Sequence, residues 1–129
     1  MGKQPNEITE AIIGAAMTVH RELGPGMLES AYEACLAYEL SQQGHAVQRQ
    51  MELPLKYRDI TLECGYRLDL LVDDSVVVEV KAAQALHPLH EAQVLSYLKM
   101  SGRRVGLLIN FNVTLLKNGI RRVVNGLAE

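Results

Sequence analysis

No apolar run in the chain approaches the roughly 20 residues needed to cross a bilayer, and the start lacks a basic segment followed by an apolar block and a cleavage site. The expectation is a cytoplasmic protein with no membrane partner. Cysteine is scarce. Cys35 and Cys64 share no metal-ligand spacing with each other or with His20, His45, His87 or His90, which argues against a structural zinc. Both are expected as reduced core thiols, Cys35 among helical apolar positions and Cys64 continuing an alternating strand. A surplus of positive charge is also missing: the formal net charge of −2 counts against a general polyanion binder. No Ser or Cys stands in a nucleophile elbow with a partnered His. Internal repeats, low-complexity tracts and linkers are absent. The 129 residues are therefore expected as one domain, 1–129, long enough to bury a core.

What is present reads as alternating helices and strands. Asn6 is a plausible N-cap for a first helix whose apolar positions Ile8, Ile12, Ala15, Ala16, Val19 and Leu23 keep helical spacing until Gly24-Pro25-Gly26 stops it. A second helix is expected from Met27 to about Gln43, with Leu28, Ala31, Tyr32, Cys35, Leu36 and Leu40 as its buried stripe. Val47 to Tyr57 alternates as a half-buried strand, and Pro54 assigns its far part to an edge or a bulge. After a turn at Arg58-Asp59, Ile60 to Val72 reads as one long strand bent at Gly65. His87-Pro88 opens a helix to Met100 that is expected to bury Leu89, Ala92 and Leu95, with Val94 and Leu98 as further candidates. The apolar run Val105 to Phe111 suits a strand covered on both faces, reached by that helix as a crossover. Leu115 to Val124 around Asn118-Gly119 suggests a terminal hairpin.

The stretch from Gly65 to Ala82 carries the chemistry. Folded as a hairpin, it places Leu68, Leu70, Val72, Val76, Val78 and Val80 on one face and Arg67, Asp69, Leu71, Val77, Glu79 and Lys81 on the other. A three-residue loop of Asp73, Asp74 and Ser75 sets Asp69 opposite Glu79, whereas a two-residue loop throws Glu79 to the other face. Only the three-residue loop keeps all six aliphatic side chains together. Two adjacent carboxylates repel unless a cation sits between them, and hard oxygen ligands suit Mg²⁺ or Mn²⁺. Lys81, on the same face, would stand beside the ion to hold a water or a phosphate oxygen. The competing reading is a structural ion cluster in which Lys81 pairs with Glu79 or Asp69.

Asp69 followed by Glu79-Val80-Lys81 resembles the signature of the PD-(D/E)xK nuclease superfamily. Gly26-Met27-Leu28-Glu29-Ser30-Ala31-Tyr32 is similar to the motif that names the small bacterial GxxExxY proteins. The similarity continues through Gly65-Tyr66-Arg67, His90-Glu91-Ala92-Gln93 and Gly106-Leu107-Leu108-Ile109-Asn110-Phe111. The resemblance implies a restriction-endonuclease-like α/β core, a mixed central β-sheet flanked by helices. It also implies a metal-dependent nuclease acting on nucleic acid, DNA before RNA, in which Asp69, Glu79, the Val80 carbonyl and Glu29 hold the ion and Lys81 is catalytic. Spacing alone would make Glu29 merely a carboxylate favouring a helix N-terminus. Gln93 matches a Gln-x-x-x-Tyr element whose Gln approaches the active site in exonuclease-like members; otherwise it is an exposed helix amide. Arg67, Tyr97, Arg103 and Arg104 are candidate nucleic-acid contacts, the arginines being equally readable as solvated surface charges. A domain of this size with no DNA-reading appendage is expected to act as a homodimer or in a larger assembly. The alternative function is a non-catalytic nucleic-acid-binding or protein-interaction module on the same fold.

Overall fold

The computed structural model describes residues 3–126, so residues 1–2 and 127–129 of the expected domain lie outside the described residues. Pro5, which has no N–H to leave unpaired, opens helix α1 (Pro5–Leu23) one residue before the expected Asn6 cap, and Gln4 takes the cap position. The Gly24-Pro25-Gly26 bend follows, with Gly24 and Gly26 at φ of 67° and 100°. Helix α2 (Glu29–Gln42) starts two residues later than the periodicity predicts, leaving Leu28 exposed at its cap instead of buried. Tyr32 fastens this corner. Its hydroxyl donates to the Gly24 carbonyl at 2.5 Å and accepts from the Met27 N–H at 3.0 Å, while its ring stacks on Phe111 with centroids 4.6 Å apart.

The strands β1 (Val47–Tyr57), β2 (Ile60–Val72), β3 (Val76–Lys81), β4 (Val105–Asn110) and β5 (Ile120–Val124) form one mixed sheet in the order β1-β2-β3-β4-β5. All neighbours are antiparallel except β3 and β4, which are parallel and joined through helix α3 (Pro88–Ser101). This is the expected α/β architecture. The apolar residues of α1 and α2 cluster with Leu70, Val72, Val76, Val78 and Val80, and α3 packs against Leu71, Val77 and Leu108 on the opposite face.

The turn between β2 and β3 is the three-residue one. Asp73 and Asp74 take positive φ, and the register pairs Leu70 with Val78, Leu71 with Val77 and Val72 with Val76. One aliphatic residue departs from the expected face: Leu68 packs in the α3 cluster, not with Leu70. The cause is local. Gln50 adopts φ of 55°, and Gln50 and Asp69 drop out of the β1–β2 pairing while the register on either side of them stays the same, so side chains change faces there on both strands. Val47 accordingly packs with α1 and α2, whereas Met51 and Leu53 join α3. The register itself shifts between Leu53 and Leu55, at Pro54, where the sequence places a bulge. The distal part of β2, from Ile60 to Arg67, is exposed throughout and forms a projecting arm with β1. Cys64 lies on that arm and is exposed, contrary to its assignment as a core thiol, while Cys35 is partly buried.

Leu89 and Ala92 of α3 are also exposed rather than buried, because the packed face runs through the further candidates Val94 and Leu98 together with Tyr97. The terminal hairpin is replaced by a 3₁₀ turn at Leu116–Gly119, and β5 pairs with β4 instead. Gly106 lets α3 approach β4: a Cβ there would fall 2.9 Å from Val94 Cγ1 and 3.3 Å from Leu98 Cδ2. Gly106→Val is expected to destabilise the protein by about 2 kcal/mol through overpacking. An unchanged midpoint in urea unfolding would show that the helix moves aside freely.

Candidate active site

The site lies where β2 parts from β3. The β2–β3 ladder ends at Leu70 opposite Val78, and the next step sets Asp69 opposite Glu79. Beyond that point side chains replace the backbone ladder. Asp69 Oδ2 accepts from the Val80 N–H at 2.9 Å, and Glu79 Oε2 accepts from the Asp69 N–H at 2.8 Å. Each carboxylate is thus aimed by an amide of the opposite strand. A strand residue sends its N–H and C=O toward the same neighbour, so the Val80 carbonyl faces this gap too. Lys81 faces the other way along its backbone, its carbonyl accepting from the Phe111 N–H at 2.9 Å.

Burial makes the pair electrostatically costly. Glu79 is 3% exposed, and desolvation, followed by the charge of Asp69, pushes its pKa up to about 8. Desolvation also raises the Asp69 carboxyl, opposed by the Val80 N–H and aided by the charges of Glu33 and Glu29. Tyr97, on the α3 side, is raised by desolvation and then by the charges of Glu79 and Asp69, which places its hydroxyl within reach of their field. Among the described residues neither Asp69 nor Glu79 forms a salt bridge, and neither does Lys81. The competing ion-cluster arrangement, with Lys81 paired to a carboxylate, is not formed. Lys81 follows Glu79 by two residues on β3, and its charge lowers the Glu79 pKa.

Glu29, exposed in the first turn of α2, raises the pKa of both carboxylates through its charge. Gln93 is exposed and donates from Nε2 to Tyr97 Oη at 3.0 Å. Arg67 sits on the projecting arm opposite Glu52. Arg103 and Arg104 precede β4, whose first residue pairs with Val76, so they stand at the other end of β3 from Glu79. Arg103 is engaged there, with Nη2 on Asp74 Oδ1 at 2.6 Å and Nη1 on the Ser101 carbonyl at 2.7 Å.

Sequence reasoning missed two residues. Glu33 is buried in α2 and accepts from Gln50 Nε2 at 2.9 Å and from Arg49 Nε at 3.2 Å. Gln50 Nε2 also donates to Asp69 Oδ1 at 3.3 Å, so this amide ties the helix to the strand carboxylate. Glu33 was discoverable as the residue one helical turn after Glu29 on the same face. Nothing local marks Gln50.

The donor chemistry fits a hard cation. Two adjacent carboxylates without a basic partner, together with a carbonyl facing the same gap, are the oxygen donors that Mg²⁺ takes when it keeps several waters. Among the described residues no three His, Cys, Asp or Glu side chains stand close enough to hold an ion by themselves, so Glu29 does not form a three-carboxylate group with Asp69 and Glu79. No helix among the described residues is long and apolar enough to cross a membrane. No curated protein and no solved structure matches the chain. A family profile does, over residues 6–123, spanning both helices before the sheet, the carboxylate strands and β4. With that match covering most of its length, the chain belongs to the PD-(D/E)XK nuclease superfamily.

Proposed function

We propose that this chain is a divalent-metal-dependent nuclease of the GxxExxY kind that hydrolyses phosphodiester bonds, in DNA before RNA, within the cytoplasm and as a homodimer or part of a larger assembly. The observation that carries the reading is the pair of buried Glu79 and half-buried Asp69, hydrogen-bonded across two strands and, among the described residues, without a salt-bridge partner, with Lys81, also in no salt bridge, two residues on from Glu79. A structural ion pair would have satisfied these charges; a site awaiting a cation and a phosphate leaves them open.

Asp69, Glu79 and the Val80 carbonyl would hold Mg²⁺ or Mn²⁺, with Glu29 contributing directly or through water. Such an ion supplies positive charge that polarises the phosphodiester and makes water more acidic. The chain's own residues do the rest. Gln50, held by Glu33, keeps Asp69 Oδ1 oriented. A water oxygen bonds to phosphorus as one ester P–O bond breaks, and the Lys81 ammonium stabilises the negative charge that builds on the phosphoryl oxygens. Gln93, whose amide donates to the Tyr97 hydroxyl, stands on the α3 side, where it can position the substrate or the water.

The purified chain is expected to cleave DNA with Mg²⁺ or Mn²⁺ and not with EDTA, and its melting temperature should rise with metal concentration. A second reading, a non-catalytic binding module, is favoured by Glu29 forming no three-carboxylate group with Asp69 and Glu79. Unchanged melting at millimolar metal together with intact DNA would decide for that module.

A further inference from the structure

The carboxylate pair has a groove beside it. A cavity of about 670 Å³ separates the β1–β2 arm from α3, walled by Pro54, Lys56 and Tyr66 on one side and by Gln93, Tyr97 and Lys99 on the other. Tyr97 joins the two places: it packs in one apolar cluster with Leu68, which precedes Asp69, and with Val77, two residues before Glu79 on β3, and its ring meets Tyr66 edge to face at 6.1 Å. Among the described residues, the only charged side chains lining the groove are lysines, Lys56 and Lys99. Tyr66 is 40% exposed, so part of its ring is open to a ligand.

We propose that this groove binds single-stranded nucleic acid, a base resting on Tyr66 and its backbone phosphates on Lys56 and Lys99, and delivers the strand to Asp69 and Glu79. The inference deepens the nuclease reading and rests on it for the last step. Three features select a single strand. The space, about 670 Å³, is that of a ligand-sized cleft, smaller than a duplex segment with its bases stacked and paired. Its lining offers an aromatic face, which binds any unstacked base, and two cations, the combination that holds single strands without reading their sequence. The net charge of −2 rules against the broad basic face on which a duplex is held by phosphate contacts alone. A second groove, between α1 and α2, is about 300 Å³ and bears Glu22 and Glu39, which repel phosphate.

The test is fluorescence anisotropy on the full chain in EDTA, where no cleavage occurs, with labelled oligothymidine, the matching RNA and a duplex of equal length. Either single strand is expected to bind at least about tenfold more tightly than the duplex. Tyr66→Ala should weaken single-strand binding by about tenfold, within the range for one lost base stack, and Tyr66→Phe should restore it. Lys56→Ala with Lys99→Ala, both at exposed positions, should weaken binding and flatten its salt dependence while melting stays unchanged. Equal affinity for the duplex, or affinity unmoved by both the tyrosine and the lysine changes, overturns the proposal. The outcome is separable from catalysis. Groove-dependent binding without metal-dependent cleavage would sink the nuclease reading alone, and cleavage with groove-independent binding would sink this one alone.

Discussion

Glu79→Gln is expected to make the metal-free protein more stable at pH 8 and at the same time to abolish both its response to metal and its cleavage of DNA. Glu79 is nearly inaccessible, and its pKa of about 8 in the folded protein lies above the ordinary 4.5 it regains on unfolding. Between those values the folded state holds a proton that the unfolded state has lost, so stability falls as pH rises through this window and levels off above about 8. Asp69, also raised, acts in the same direction. Asp73 is lowered by its His45 and Ala46 hydrogen bonds, so its effect lies at lower pH, where stability is lost as pH falls. The buried glutamate charge costs on the order of a few kcal/mol at pH 8. Glutamine removes it and can still accept from the Asp69 N–H. A divalent ion should also flatten the wild-type pH slope, since it favours the ionised carboxylate and displaces the proton. Melting curves from pH 5 to pH 9, with and without Mn²⁺, check each part. If variant and wild type lose stability equally over that range, Glu79 does not carry the buried charge.

Lys81→Ala is expected to lower cleavage by about 100- to 1000-fold, the loss seen when one preorganised donor to a developing oxyanion is removed. Folding should be nearly untouched, because Lys81 forms no salt bridge among the described residues and its aliphatic stem is only partly buried. The metal-induced rise in melting temperature should persist or grow, since the alanine removes a positive charge next to the ion. This separates Lys81 from Glu79: one variant loses turnover and keeps the metal, the other loses both. Cleavage at the wild-type rate by a folded Lys81→Ala protein would remove the lysine from the reaction.

The two variants also bear on the trade between stability and activity. The same desolvation that destabilises the pair without metal prepares oxygen donors that water does not neutralise. The Glu33–Gln50–Asp69 chain has the same character. Gln50 takes φ of 55°, a conformation that non-glycine residues adopt sparingly, and in doing so carries its amide to two carboxylates.

Alternation along Leu70, Val72, Val76, Val78 and Val80 was enough to choose the loop length, and loop length was enough to set Asp69 against Glu79, because strand parity is a property of neighbours in the chain. The helix-strand order as far as β4, and the return to β4 through a crossover helix, were legible for the same reason: they follow from local periodicity and from how a helix must return to a sheet. The change of face at Gln50 and Asp69, the transfer of Leu68 to the α3 side and the burial of Glu33 were not. Each depends on where α2 and α3 press on the sheet, which is decided by contacts between residues far apart in sequence. Which acids would lie on neighbouring strands was therefore written in the order of the residues; how dry they became, what held them and what groove opened beside them awaited the packing of distant segments, since desolvation and hydrogen-bond partners exist only once those segments meet.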